Sequence, residues 1–450
     1  IHPRVKRNRE THTIDVIFNI EQGPRVYVEK INIQGNSRTL DKVIRREFRL
    51  VEGDAFNRVL VDRSRTRIRG LGFFKTVDIK QAPGSQPDRT VLNVNVQEQA
   101  TGSLSLGAGY SSTSSFVGQF SYTQTNLFGR GQSLQASVQL SYISKEFQLS
   151  FTEPYFLDHQ LSAGFDLYKV LSNFDQADYE IDSTGGTLRL GFPTSEYASV
   201  GLRYTYRVDI VRPYSGAATA IRLSAGSADT SSVGYTYAYN TLDDLLKPRH
   251  GVTFSFSQDL AGFGGSLKYI RSVGTGSFYH PVFDDNFVAK LQFQGGYIQG
   301  YGGQHVRLNE RFFKGGDDFR GFDIAGVGPR ELNAGQGGQN AIGGEAFLIG
   351  TAELRLPDFL PADYGISLSL FSDFGTVGHI SGNPGIKSCG SNRGGGAPCV
   401  EDNLAFRASG GLAIGWKSPF GPVQIDLGVP FIKETYDKSQ IIRFSAGTGL

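Results

Sequence analysis

The chain has no long hydrophobic run. Its 450 residues are 39% apolar, yet no apolar stretch approaches the ~18 residues that a membrane helix needs. Helical membrane spans are therefore excluded. A membrane barrel is not, because its strands need only about 9–11 residues with every second one apolar.

Methionine is absent, and tryptophan occurs once. The opening residues Ile1-His2-Pro3-Arg4 have no apolar core of the kind that a signal peptide carries. We therefore expect the chain to be an excised or processed C-terminal part of something longer.

The two cysteines, Cys389 and Cys399, lie ten residues apart in a polar segment. They can pair if the compartment is oxidising. A metal site is the less favoured interpretation, because no third and fourth ligand lies nearby in the sequence. We expect a disulfide.

The seven histidines are scattered, and three of them, His159, His250 and His280, fall in predicted turns. We find no Ser/His/Asp constellation and no cluster with metal-ligand spacing. The sequence therefore predicts neither an enzyme nor a cofactor.

Charge is unevenly distributed along the chain. Residues 1–100 hold 19 Lys and Arg against 12 Asp and Glu, whereas the remaining 350 hold 26 against 31. This shift predicts a domain boundary near Ala100. We expect residues 24–99 to form one module, residues 1–23 to be the end of a preceding module, and residues 100–450 to form the main domain.

Residues 24–99 show the order strand, helix, helix, strand, strand, which is typical of a small α+β module. Thr39 and Asn57 are the predicted N-caps of the two helices. The second helix carries five arginines, Arg58, Arg63, Arg65, Arg67 and Arg69. They form either a solvated face or a contact surface for anionic lipid or a partner protein. Nucleic acid is not expected, because no aromatic residues interleave with them.

Residues 101–450 alternate apolar and small polar residues. Leu104, Leu106, Ala108 and Tyr110, for example, are separated by Ser and Gly. About 16 such segments occur, joined alternately by tight turns and by long polar loops, as in an outer-membrane barrel. The alternative is a soluble β-sandwich. The predicted fold is membrane all-β, a 16-stranded antiparallel transmembrane β-barrel preceded by the α+β module.

One long Gly-rich segment, residues 300–344, interrupts these strands. Long loops in compact proteins are usually functional. This one contains Phe319-Arg320-Gly321-Phe322, an arginine between two large rings, which needs an anionic or carbonyl partner.

Two carboxylates on later strands are candidate partners for Arg320. Glu353 shares a strand face with Ile349 and Thr351, and Asp373 shares one with Ser367 and Ser369. Alternation predicts that both acids point into the barrel. They are otherwise ordinary hydrated residues of the lumen.

These motifs resemble the BamA family of outer-membrane barrel assembly proteins over essentially the whole chain. Residues 24–99 are similar to a POTRA (polypeptide-transport-associated) domain. Phe319-Arg320-Gly321-Phe322 resembles the family's sixth-loop motif, and Phe371-Ser372-Asp373-Phe374-Gly375 its Phe-x-Asp-x-Gly strand motif. The resemblance implies that Arg320 pairs with Glu353 and Asp373 and so holds the loop inside the barrel. The terminal Leu450 departs from the aromatic residue usual in the family.

The resemblance also implies a function. BamA-like proteins fold and insert other barrels without ATP, through a seam between the first and last strands. The seam residues expected here are Gly102, Gly107, Gly109, Tyr110, Phe444, Gly447 and Gly449. Glycine weakens strands, although these glycines are also explained by barrel curvature alone.

The implied location is the outer membrane of a Gram-negative bacterium, with the POTRA-like module in the periplasm. The implied partners are unfolded outer-membrane proteins, accessory assembly lipoproteins and outer-membrane lipids. The alternatives are a related translocation-assembly protein or two-partner secretion transporter that exports a specific protein, and a passive porin.

Overall fold

A computed structural model of the chain describes residues 2–8, 13–19, 25–245, 247–283, 286–334, 338–357, 361, 364–381, 387–389, 398–419 and 421–447. Two compact units are distinguished. The first runs to Gly102 and includes the segment Gln124–Gln132, and the second contains Ser103–Thr123 and the chain from Ser133 onward. The predicted boundary near Ala100 and the division into 1–23, 24–99 and 100–450 stay predictions.

The first unit contains an antiparallel hairpin and a small α+β module. Its elements are β1 (His2–Asn8), β2 (Thr13–Asn19), β3 (Tyr27–Gln34), α1 (Asp41–Arg45), α2 (Arg58–Gly70), β4 (Phe74–Pro83) and β5 (Arg89–Glu98). In the three-stranded sheet β5 is central, parallel to β3 and antiparallel to β4. The order strand, helix, helix, strand, strand agrees with the sequence prediction.

The two helices of this module begin differently. The Asn57 side chain accepts hydrogen bonds from the N–H groups of Val59 and Leu60, as predicted for an N-cap. The predicted Thr39 cap is wrong, since α1 begins one residue later and has no side-chain cap. The Thr39 N–H donates instead to the carboxylate of Glu98 at 2.6 Å, which ties this turn to β5.

Three of the five arginines on α2 are used within the module. Arg65 donates to the Ile79 carbonyl at 3.3 Å, Arg67 pairs with the buried Glu47 at 2.6 Å, and Arg69 donates to the Val77 carbonyl at 3.2 Å. Because these contacts hold α2 against its neighbours, the arginine row is largely explained by folding. Arg58 and Arg63 lie exposed on the surface.

The second unit is built almost entirely of strands. The remaining elements, in chain order, are β6 (Gly102–Ser111), β7 (Ser115–Leu127), β8 (Gln132–Ser141), β9 (Ser144–Glu153), β10 (Ser162–Phe174), β11 (Tyr179–Pro193), β12 (Ala198–Pro213), α3 (Thr219–Leu223), β13 (Gly226–Asn240), β14 (Gly251–Ala261), β15 (Tyr269–Val282), β16 (Phe287–Gly300), β17 (Gly321–Phe322), β18 (Arg330–Ala334), β19 (Gly338–Ala341), β20 (Ala346–Arg355), β21 (Ile366–Gly378), β22 (Lys387–Ser388), β23 (Cys399–Glu401), β24 (Arg407–Ser418), β25 (Gly421–Ile432), β26 (Ser439–Gln440) and β27 (Ile442–Gly447).

Sixteen of these strands close into one antiparallel barrel. They are β6–β16, β20, β21, β24, β25 and β27, and β27 pairs with β6 to complete the ring. The alternation follows the predicted pattern: Leu106 and Leu348 are 83% and 57% exposed, whereas the Glu353 side chain is 20% exposed and Asp373 is 1% exposed. Large apolar side chains therefore cover the outside and polar ones line the inside. The predicted 16-stranded barrel is confirmed, and the β-sandwich alternative is wrong.

The long loop, residues 300–344, has more regular structure than its composition suggests. The hairpin β18–β19 and the two-residue strand β17 lie within it, together with the 3₁₀ turns Leu308–Glu310 and Gly316–Asp318. The composition of this segment shows no strand signal, because its many Gly, Asp and Asn residues have low strand propensity. Pairing of β18 with β23 overrides that local preference.

Among the described residues, no helix is long and apolar enough to cross a membrane.

Candidate functional site: an arginine clamp and a seam

Arg320 lies where the long loop meets the inner face of the barrel wall. Its Nε and Nη2 donate to the two carboxylate oxygens of Asp373, at 2.8 and 2.9 Å. Its backbone N–H donates to Asp373 Oδ2 as well, at 3.0 Å. Bidentate, charge-assisted pairs of this kind are strong and fix orientation. Asp373 therefore holds both the side chain and the backbone of this loop residue.

Glu353 is the weaker partner of Arg320. The Arg320 Nη1 lies 3.5 Å from Glu353 Oε2, at the limit of hydrogen bonding. Glu353 is also opposite Lys290 in the pairing of β16 with β20. Its main contribution to Arg320 is thus a nearby negative charge. We name Arg320, Asp373 and Glu353 the arginine clamp.

Phe371 completes the surroundings of the guanidinium. The Arg320 Cζ lies 3.6 Å from the centroid of the Phe371 ring, a cation–π distance. The sequence analysis placed Phe371 in the Phe-x-Asp-x-Gly motif but did not predict its contact with Arg320. The signal was present, because Phe371 is two residues from Asp373 and is a large aromatic on an otherwise polar, inward strand face.

The residues flanking Arg320 anchor the loop by packing. The Phe319 and Phe322 rings are fully buried and meet edge to face, with centroids 4.9 Å apart. Gly321 has φ +89°, a conformation that glycine adopts without strain. Ser409 Oγ donates to the Arg320 carbonyl. Both rings belong to one buried apolar cluster with the wall residues Phe347, Ile349 and Val377.

A second buried ion pair anchors the start of the long loop. Glu310 is 1% exposed and accepts from Arg207 of β12, and Arg207 Nε also donates to Asp209 at 2.9 Å. Sequence reasoning missed this contact, which joins residues 103 positions apart.

The seam is the junction of β27 with β6, which closes the barrel. Within the described residues, the pairs are Ser445 with Ser111, Ala446 with Tyr110, and Gly447 with Gly109. Next to them the Ser112 N–H donates to the Phe444 carbonyl at 2.8 Å.

The structure brings together part of the predicted seam set. Gly109 faces Gly447, and the rings of Tyr110 and Phe444 lie 6.3 Å apart. Gly102 and Gly107 lie on β6 outside this register. Gly449 lies outside the described residues.

The cysteines are joined. Cys389 and Cys399 form a disulfide, and the Cys389 N–H donates to the Val400 carbonyl at 3.0 Å. Cys399 lies on β23, which pairs with β18 of the long loop. Among the described residues no group of His, Cys, Asp or Glu is arranged to hold a metal ion.

Two family models match the chain. The Omp85 superfamily domain matches residues 126–449, and the POTRA model, described as a surface antigen variable number repeat, matches residues 26–99. The first of these covers more than half of the chain, on the barrel that contains the clamp and the seam.

Curated relatives point in the same direction. The chain is 32% identical over 433 residues to the outer membrane protein assembly factor BamA of Neorickettsia risticii, covering 96% of this chain and 56% of the relative. It is 30% identical over 473 residues to BamA of Neisseria meningitidis, covering 98% and 59%. The chain therefore spans between half and two thirds of the length of these relatives.

Solved structures show the same architecture. The crystal structure of BamA from Haemophilus ducreyi lacking POTRA domains 1–3 superposes with a TM-score of 0.83 at 26% identity, covering 99% of this chain and 89% of that one. CdiB from Acinetobacter baumannii gives a TM-score of 0.60 at 15% identity, covering 94% and 74%, which shows a shared fold only. The predicted resemblance to BamA is confirmed, and the chain belongs to the Omp85 superfamily.

Proposed function

We propose that this chain is the core of an outer-membrane protein assembly machinery, which folds β-barrel proteins and inserts them into the outer membrane through the seam. The barrel lies in the outer membrane of a Gram-negative bacterium, and the POTRA-like module lies in the periplasm. Relatives named as assembly factors support the proposal. The single observation that carries the mechanism is that the barrel closes through the pairing of its first strand, β6, with its last strand, β27, where Gly109 faces Gly447.

The seam matters because a closed barrel otherwise has no free strand edges. Net stabilisation per backbone hydrogen bond is only about 1 kcal/mol, and the facing glycines Gly109 and Gly447 add no side-chain packing at this junction. Within hydrocarbon, each backbone group without a partner costs several kcal/mol. An opened seam therefore favours a replacement strand.

The replacement strand is supplied by the client. An incoming strand that pairs with an open edge gains main-chain hydrogen bonds, which is β-augmentation. Successive strands can then be added while the membrane-facing side chains partition into lipid. No covalent step or nucleotide is needed, so we propose a non-enzymatic role without a cofactor.

The arginine clamp has a supporting role in this proposal. The contacts of Arg320 with Asp373 on β21 hold the long loop against the barrel wall. The barrel then keeps its shape while the seam between β6 and β27 opens. On this proposal Arg320 stabilises the machine, and the insertion step takes place at the seam.

The partners we propose are unfolded outer-membrane proteins as substrates, accessory assembly lipoproteins, and outer-membrane lipids. Exposed apolar residues around the barrel, such as Leu106 and Leu348, support the lipid contact. We propose no nucleic-acid partner.

Depletion of the protein in its source cell, followed by quantitative profiling of the outer membrane, tests the function. We expect the levels of many different barrel proteins to fall together. Loss of one secreted protein, with the other barrels unchanged, would contradict the proposal and favour a dedicated two-partner secretion transporter.

A further inference from the structure

The side chain of Arg443, on the last strand β27, is nearly buried and donates hydrogen bonds to four different residues. Its side chain is 6% exposed. Nη1 donates to Thr113 Oγ1 at 2.7 Å and to Asp317 Oδ1 at 3.1 Å. Nη2 donates to Gln440 Oε1 at 2.6 Å and to the Phe322 carbonyl at 3.4 Å. One guanidinium thus bonds four groups.

These four groups belong to three separate parts of the barrel. Thr113 lies in the turn between β6 and β7, on the far side of the seam from Arg443. Asp317 and Phe322 belong to the long loop, and Phe322 is two residues from Arg320. Gln440 lies on β26, just before β27 itself. Arg443 therefore joins the last strand to the first hairpin and to the loop that the clamp holds.

The loop backbone is shaped to admit this guanidinium. Gly316 has φ +66°, and a Cβ placed there would lie 3.0 Å from Arg443 Nη1. A side chain at this position would therefore crowd the guanidinium as well as strain the backbone. A cavity of about 440 Å³, lined in part by Ser111, Asp426 and Ser445, adjoins the same group.

Opening of the seam changes these bonds together. If β27 moves away from β6, the bond to Thr113 breaks, and the bonds to Asp317 and Phe322 must break or draw the loop with them. A planar guanidinium with donors in fixed directions cannot follow several partners at once. The position of the loop and the state of the seam are then no longer independent.

We propose that Arg443 is the positioning residue that couples the long loop to the seam and holds the seam closed while its bonds to Thr113, Asp317 and Phe322 are made. This deepens the proposed function and rests on it for the use made of an open seam. The coupling itself is a property of the folded barrel and can be measured without any client protein.

The test measures seam opening directly. Ser111 and Ser445, which face each other across the seam, are replaced by cysteine in the full chain reconstituted in lipid vesicles, with the native disulfide left intact. The rate at which a thiol reagent labels the reduced pair reports opening. We expect Arg443→Gln to raise this rate about tenfold, since hydrogen bonds to a charged group are lost. The labelling rate of Arg443→Lys should lie between those of the unsubstituted protein and Arg443→Gln, because lysine keeps the positive charge but lacks the planar guanidinium.

Arg203→Gln is the matched control. Arg203 makes a bidentate pair with Asp259, at 2.8 and 2.7 Å, between β12 and β14 and away from the seam. We expect it to leave the labelling rate unchanged. An unchanged rate in Arg443→Gln, or an equal increase in Arg203→Gln, would overturn the proposal.

A double-mutant comparison separates coupling from simple loosening. Asp317→Asn alone should raise the labelling rate, and it should add little in the Arg443→Gln background, because both act through one bond. Fully additive effects would overturn the coupling. This test is independent of the test of the proposed function. Faster labelling supports the coupling whether or not outer-membrane assembly changes. An unchanged labelling rate overturns the coupling even if assembly proceeds through the seam.

Discussion

Gly321 of the long loop and Gly428 of the barrel wall touch backbone to backbone. A Cβ added at Gly428 would lie 2.8 Å from the Gly321 nitrogen and 3.0 Å from its Cα. Both contacts are with main-chain atoms, which cannot move aside as a flexible side chain does. The absence of a side chain at Gly428 is therefore what allows the residue after Arg320 to reach the wall.

Gly428→Ala should consequently displace the loop at Gly321 and weaken the arginine clamp. We expect destabilisation of about 1–3 kcal/mol, typical of overpacking, and faster protease cleavage within residues 300–344. Gly276→Ala on β15 is the control, because a Cβ there meets its nearest atoms at 3.8 Å. Equal behaviour of the two variants would contradict the close contact.

The two carboxylates of the clamp should differ in importance. Asp373→Asn leaves the Arg320 cation with one distant carboxylate, and removing one partner of a buried ion pair typically costs about 3–5 kcal/mol. Glu353→Gln removes an interaction at 3.5 Å and should cost about 1 kcal/mol or less. Thermal unfolding in detergent micelles measures both. A larger effect for Glu353→Gln would reverse the assignment.

The first unit should show an acid dependence that arises at Glu98. Partial burial opposes ionisation of this carboxyl, but hydrogen bonds from Thr39, Ser37 and Arg38 outweigh it and lower its pKa below the usual range. A lowered folded pKa means that the stabilisation is complete above about pH 4.3, the unfolded value, and is lost as the pH falls through the folded pKa.

Glu98→Gln should remove that part of the pH dependence, because the amide does not titrate in this range. Hydrogen-exchange protection of the α2 amides in the full chain is followed against urea concentration at neutral and at acid pH. The difference between the two urea midpoints measures the pH dependence of stability. The same slope in both proteins would show that the acid sensitivity arises elsewhere.

The disulfide should stabilise its loop and leave the barrel intact. A cross-link that closes a loop of about 15 residues contributes about 3 kcal/mol in the chain-entropy description. Replacing both Cys389 and Cys399 by serine should therefore increase proteolysis within residues 378–403 and loosen the pairing of β23 with β18. Limited proteolysis measures cleavage of the loop, and the gel mobility of unheated samples measures whether the barrel stays folded. Loss of the folded, fast-migrating band would contradict an effect of the disulfide confined to its loop.

Much of the fold could be predicted from the sequence because strand alternation is a local signal. The period of two places Glu353 and Asp373 on inward faces without any knowledge of tertiary structure. Asn57 was identified as an N-cap for the same reason, since the cap and its partners are adjacent in sequence.

The contacts that could not be predicted join distant segments. The pairs Arg207–Glu310 and Arg443–Asp317 depend on how the long loop folds back into the barrel, and nothing local to any of these four residues reveals its partner. The strands within the loop were missed because β18 is stabilised by pairing with β23, about 70 residues later in the chain. The stronger contact of Arg320 with Asp373 than with Glu353 could not be predicted either, because strand alternation places both acids on the inward face and does not distinguish them.

The most direct test of seam opening is to close the seam covalently in the source cell. Ser111→Cys and Ser445→Cys, introduced together at the chromosomal copy, place two thiols on residues that face each other in the register of β6 and β27. Each single cysteine variant serves as the control. When the pair is oxidised, we expect accumulation of outer-membrane barrel proteins to stop, and when a reductant is added, to resume. Undiminished accumulation with a quantitatively cross-linked seam would contradict insertion through it.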